Sequence, residues 1–146
     1  MSRKLTELEI GLQCKAVKAI AKMRADEELK KMGVEDIAIV ETRRTLATQM
    51  AYYARGRMAV EDVKKMYRAA GLYNLTDEEA KTKNTWTLDS KHLEGKAIDL
   101  APIKDGKIWW SAPNAVWEQM GKIGESEGMQ WGGRWKDNKD TPHFQI

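Results

Sequence analysis

The chain has 146 residues, 42% of them hydrophobic and 32% charged, with a net charge of +3. That length suits one domain with a real core, and that balance excludes global disorder. One cysteine, Cys14, excludes an internal disulfide, and no apolar run is long enough to span a bilayer.

The first third reads as a helical support, residues 1–33, ahead of a motif-bearing core over 34–146. Thr6-Glu7-Leu8-Glu9 has the form of a capping box. Leu5, Leu8, Leu12, Ala16, Ile20 and Met23 follow at spacings of three and four, one apolar helix face. Cys14 falls in this pattern and is expected to be an inert packing residue. Lys15, Lys18, Lys22 and Arg24 occupy the remaining surface and read as a solvated face, not a nucleic-acid site. Charges interrupt Met1 to Met23 throughout, so no secretory signal is visible. Gly33 is a helix stop, and Ile37 to Glu41 reads as a short buried strand.

Residues 42–57 begin as a turn and continue as a helix. Ala59 to Ala70 forms an amphipathic helix with Val60, Val63, Met66 and Tyr67 on one face. Residues 72–89 show no clear period, and so long a connection is expected to be functional, here one wall of a groove. Trp86 within it is either a contact residue or core. Lys104-Asp105-Gly106-Lys107 carries a hairpin turn signal. Ser111-Ala112-Pro113 opens a helix with Val116, Trp117, Met120 and Ile123 as its core stripe, and Gly128 ends it. No repeat, low-complexity tract or second domain is visible.

The chemistry concentrates in two segments. The only two histidines are His92, in Ser90-Lys91-His92-Leu93-Glu94-Gly95-Lys96-Ala97-Ile98-Asp99, and His143, in Asp140-Thr141-Pro142-His143-Phe144. After Gly95, Lys96 to Ile103 reads as a strand, which puts Ala97, Asp99 and Ala101 on one face. An aspartate between two alanines is costly in a core and odd on a solvated face. A metal resolves both, since it compensates the charge and the small neighbours leave room for it. His92, Asp99 and His143 form a ligand set for zinc with an open fourth position, as a catalytic site requires. His143 to Ile146 reads as a strand with His143 and Gln145 on the pocket face. Ser90 either orients His92 or binds a substrate.

Ser90-x-His92-x-x-Gly95-x-Ala97-x-Asp99 followed by Asp140-x-x-His143 resembles the zinc peptidases that include D-Ala-D-Ala carboxypeptidases, the vancomycin-resistance dipeptidase and phage L-alanyl-D-glutamate endopeptidases. The resemblance runs from about Val34 to the C-terminus. It implies an α+β fold, with a small antiparallel sheet carrying the zinc site and helices flanking it in a single domain. It implies one zinc per chain and assigns Asp140 as the general base, with a local support for His143 as its other role and Glu94 as the alternative base. Arg44, in the family's Arg-Thr…Gln pattern with Thr45 and Gln49, is implied to hold a substrate carbonyl or carboxylate, with Arg43 competing for the register. Gln49 is expected chiefly to support the loop. It joins Ser90, Trp86 and Trp131, of the Trp131-Gly132-Gly133-Arg134-Trp135 element, as a candidate substrate contact.

The activity implied is hydrolysis of the L-alanyl-D-glutamate bond of bacterial peptidoglycan by a monomeric phage endolysin. It would be made in the host cytoplasm without a signal, acting at the wall without nucleic acid or stable membrane insertion. D-alanyl-D-alanine hydrolysis and a noncatalytic zinc-stabilised wall-binding module are the alternatives.

Overall fold

The computed structural model describes residues 1–146. Its centre is an antiparallel sheet in the order β1-β2-β5-β4, with β3 hairpinned onto β2. The strands are β1 (Asp36–Glu41), β2 (Ala97–Lys104), β3 (Lys107–Ile108), β4 (Gln130–Trp131) and β5 (His143–Gln145). Strand β2 is the longest and lies between β1 and β5, and Asp99 stands opposite Glu41 on one side and His143 on the other. The β2–β3 turn holds Asp105 and Gly106 at φ 53° and 72°, the left-handed pair that a two-residue hairpin needs.

Helices α1 (Ile10–Ala25), α2 (Glu27–Lys31) and α6 (Asn114–Ser126) flank the sheet. Together they enclose the main core, which includes Leu12, Ile20, Met23, Ile98, Leu100, Met120 and Phe144. Burying these side chains stabilises the fold by about 1.5–3 kcal/mol each. Two glycines on α6 let the sheet approach closely. A Cβ at Gly121 would lie 2.3 Å from the Trp131 ring, and one at Gly124 would lie 2.3 Å from the Phe144 ring. A second, smaller core joins α3 (Leu46–Ala54), α4 (Val60–Ala69) and α5 (Asp77–Lys81) through Ala51, Tyr52, Val63, Tyr67, Leu75 and Ala80. The expected α+β architecture, helices around a small antiparallel sheet, is the one observed.

Several local expectations change. The capping box does not start α1. Leu5–Glu7 forms a 3-10 turn, and Glu9 is the N-cap, its carboxylate accepting from Gly11 N–H at 3.4 Å. The first helical stretch breaks at Asp26, whose side chain caps α2 by accepting from Leu29 N–H at 3.0 Å. Cys14 is exposed rather than packed. The connection over 72–89 contains α5, capped by Thr76.

Candidate metal centre

His92 rides on a 3-10 turn, Lys91–Glu94, whose N-cap Ser90 accepts from His92 N–H at 3.3 Å. The turn closes at Gly95 with φ 69°, where a Cβ would lie 3.0 Å from the Glu7 carbonyl oxygen, so glycine is required twice over. The chain then enters β2, which carries Asp99 to the point where β5 presents His143.

The hydrogen bonds select the metal-facing nitrogens. His92 Nδ1 lies 2.7 Å from the Thr42 carbonyl oxygen. A carbonyl only accepts, so Nδ1 carries the proton and Nε2 keeps its lone pair. That nitrogen is 3.2 Å from Asp99 Oδ1. His143 is the mirror case. Its Nε2 lies 2.9 Å from Gln145 Oε1, and the Gln145 amide is oriented by donating to Gln130 Oε1 at 3.3 Å. Nδ1 is thereby left free, 3.3 Å from the same Asp99 oxygen. All three ligand atoms lie within 4.8 Å of one another. Ligands at ~2.0–2.1 Å around a tetrahedral zinc stand roughly 3.3 Å apart, so the donor set fits that ion in chemistry and in size. Such outer hydrogen bonds to ligating histidines fix their orientation and basicity.

Burial alone would push the Asp99 carboxyl up, but when His143 and His92 are protonated to imidazolium their hydrogen bonds and charges hold it well below the usual carboxylate range. Burial would likewise lower His143, and Asp99 outweighs it, leaving the imidazole raised.

Asp140 stands beside this triad. Its carboxylate is 3.8 Å from His143 Nδ1 and its side chain is 45% exposed. Enclosure by the cavity walls raises its carboxyl, and the nearby Asp99 charge adds to that. Its backbone is fixed at both ends, donating to Gly132 O at 3.1 Å and accepting from His143 N–H at 3.2 Å.

Arg44 reaches the same cavity through a tight backbone link, its N–H donating to His92 O at 3.0 Å. Its guanidinium pairs with the buried Glu41, donates to Gln49 Oε1 at 2.6 Å and lies over the Tyr52 ring. Tyr52 in turn donates to Glu41 at 3.1 Å. Arg43 is exposed and does not line the cavity, whereas Arg44 does.

The cavity measures about 780 Å³ and runs from the triad to the smaller core. Ser90, Trp86 and Trp135 line it, as do Arg44 and Asp140. Three other candidates lie elsewhere. Gln49 is fully buried and ties the 84–89 loop down by donating to Thr87 O at 2.6 Å. Trp131 is a core residue, 4% exposed, whose Nε1–H donates to Thr141 O. Glu94 is exposed, pairs with Lys96 and is absent from the cavity wall. The aromatic residue at the site is Trp135, its ring 5.1 Å from that of His143. The second tryptophan of a Trp-Gly-Gly-x-Trp element was the available signal. Glu41 was missed altogether, because a strand-end glutamate carries no mark of its burial.

Residues 83–146 match a family model described as D-alanyl-D-alanine carboxypeptidase. The peptidoglycan L-alanyl-D-glutamate endopeptidase CwlK of Bacillus subtilis is 28% identical over 119 residues, 76% of this chain and 60% of that protein. The chain thus spans about three-fifths of the length of that relative. Among solved structures, the vancomycin resistance D,D-pentapeptidase VanY of a VanB-type cassette aligns over 95% of this chain and 72% of its own, with 16% identity and a TM-score of 0.54. That likeness shows a shared fold. The L-Ala D-Glu endopeptidase ChiX of Serratia marcescens aligns over 88% of this chain and 86% of its own, with 22% identity and a TM-score of 0.48. Residues 83–146, which carry both histidines and Asp99, are thus the part of the chain that is similar to the D-alanyl-D-alanine carboxypeptidase family, and the metal triad lies wholly within them.

Proposed function

We propose that the chain is a zinc peptidase that cuts the stem peptide of bacterial peptidoglycan between L-alanine and D-glutamate, acting as a phage endolysin at the cell wall. The observation that carries the peptidase reading is the His92–Asp99–His143 triad opening onto a cavity with Asp140 at 3.8 Å from the ligand nitrogen of His143. The choice of bond rests on the CwlK likeness, a relative named for that activity.

Zinc, when bound, supplies Lewis acidity, polarising a carbonyl and acidifying water near neutral pH. The chain's own residues do the rest. Asp140 accepts the proton of the attacking water and returns it to the departing amine. Its carboxylate, on the cavity wall 3.8 Å from the ligand nitrogen of His143, is placed for both transfers. Arg44, held by Glu41 and Gln49, presents a fixed guanidinium to the carbonyl oxygen or carboxylate of the substrate. Trp135 covers His143 and gives the peptide an apolar wall.

D-alanyl-D-alanine hydrolysis is the second reading, favoured by the description of the matching family model. Mass spectrometry of digested peptidoglycan separates the two. A new N-terminal D-glutamate is expected, release of free D-alanine alone would move the assignment to the carboxypeptidase, and new reducing sugar ends would remove the peptidase assignment.

A further inference from the structure

The cavity has a second end that the metal chemistry does not use. Beyond Arg44, its wall passes from Tyr52 to Tyr67, with ring centroids 6.0 Å apart, and then to Arg55, whose Nη1 is 3.4 Å from the Tyr67 hydroxyl. Arg55 ends α3 and is partly buried. Its Nε–H bonds the carbonyl oxygens of Glu79 and Thr82 at 2.8 and 3.2 Å, which ties α5 and the strand-like segment after it to α3.

That structural task takes one of the five guanidinium N–H groups, and the Tyr67 hydroxyl takes a second. The other three have no partner in the protein, and no carboxylate oxygen lies within 4.0 Å of the guanidinium nitrogens. Glu79 is the acidic neighbour, and its carboxylate is occupied by the Tyr73 hydroxyl at 2.8 Å and the Thr76 hydroxyl at 3.0 Å. Arg44 differs on this point, being paired with Glu41. A partly buried guanidinium on a cavity wall with an unfilled fork is a carboxylate receptor, because two parallel N–H···O bonds match the spacing of the two carboxylate oxygens.

We propose that Arg55, with Tyr67 and Tyr73 around it, is a subsite that takes the C-terminal carboxylate of the peptide, on the side released as the amine. This rests on the peptidase reading above. Arg44 sits next to the triad and serves the groups flanking the scissile bond. Arg55 lies farther along the same wall, beyond two tyrosine rings, and reads the end of the peptide. The subsite thereby makes the enzyme a counter of chain length, favouring uncrosslinked stems with a free terminal carboxylate.

The test uses the zinc-loaded protein and three probes. These are N-acetyl-L-alanyl-γ-D-glutamyl-L-lysyl-D-alanine, its C-terminal amide, and its glutamate α-amide. For the unaltered protein the C-terminal amide should raise KM about tenfold over the free acid. In Arg55→Gln the free acid should rise to the KM of that amide, while the ratio between free acid and glutamate α-amide stays as in the unaltered protein. Arg55→Lys retains a charge and a donor for the α5 carbonyls but no fork, so an intermediate KM is expected, and it stands in if Arg55→Gln does not fold. Equal KM for free acid and C-terminal amide in the unaltered protein would overturn the subsite, as would a discrimination that survives undiminished in the folded Arg55 variants. If the zinc-loaded protein cleaves none of the probes, the peptidase reading fails by itself. Calorimetric titration of the same free acid and amide then decides the subsite, equal affinities overturning it.

Discussion

Gly132 and Asp140 are locked backbone to backbone. The Asp140 N–H donates to Gly132 O at 3.1 Å, and a Cβ at Gly132 would stand 2.4 Å from Asp140 O. That close approach is what carries the Asp140 carboxylate to the side of His143. Gly132→Ala is therefore expected to displace the loop and lower kcat on the order of 10²-fold, the cost of about an ångström of misplacement. The same methyl would stand 3.1 Å from Cβ of the ligand His143, so zinc affinity should fall along with turnover. Turnover and metal content on one preparation check this, and normal turnover would refute it.

Zinc removal tests the triad itself. A chelator should abolish hydrolysis and added zinc should restore it. His92→Ala or His143→Ala each removes one of three ligand atoms and should lose both bound zinc and activity. Full occupancy in either variant, measured by elemental analysis, would refute the ligand assignment.

The triad was legible because strand alternation is a strict rule. Once residues 96–103 and 143–146 are strands, Asp99 shares a face with Ala97 and Ala101, and His143 with Gln145; the pairing of Asp99 with His143 then puts both sets on one face. The histidine tautomers were not legible, since they depend on the Thr42 carbonyl, brought to His92 only by the fold, and on the Gln145 amide, whose orientation is set by Gln130 on the neighbouring strand. Trp131 and Trp135 could not be ranked by spacing, because the intervening 3-10 turn, Gly132–Arg134, decides which ring enters the core. Helix α5 was hidden for a different reason. It has five residues and a single buried one, Ala80, so no period can develop. The break at Asp26 was hidden because a capping aspartate inside a helical run looks like one more exposed charge.

The close packing of α6 gives a stability prediction. Gly124→Ala places a methyl group 2.3 Å from the Phe144 ring, and overpacking of this kind costs about 1–3 kcal/mol. Thermal unfolding should show the loss. Because Phe144 adjoins His143 on β5, zinc affinity should fall with it. An unchanged melting temperature would mean that β5 yields freely.

Acid should loosen the α5 wall through Glu79. The Tyr73 hydroxyl, with Thr76 adding to it, holds that carboxyl below its ordinary value. A lowered folded value means stabilisation that is present above the ordinary carboxylate range and is lost as pH falls through the lowered one. In Tyr73→Phe the Glu79 midpoint, followed by carboxyl carbon NMR, should move up toward the ordinary value. An unmoved midpoint would show that the hydrogen bond contributes nothing in solution.

The last prediction separates base from ligand. Asp140→Asn keeps size and shape but cannot accept the proton. With its carboxylate 3.8 Å from His143 and outside the triad, the variant should retain zinc while hydrolysis falls by at least ~10²-fold, the lower range for a general acid–base. Asp99→Asn should behave differently. Asp99 is the triad's only carboxylate, its Oδ1 within 3.3 Å of the ligand nitrogen of each histidine, so its loss should weaken zinc binding together with turnover. Metal content and turnover must be read on the same samples, because loss of zinc alone would mimic loss of a base. Near-normal turnover in Asp140→Asn would leave Asp140 as a local support. Glu94, outside the cavity wall, could not then take its place, and Asp137, which lines it, would be the next carboxylate to replace.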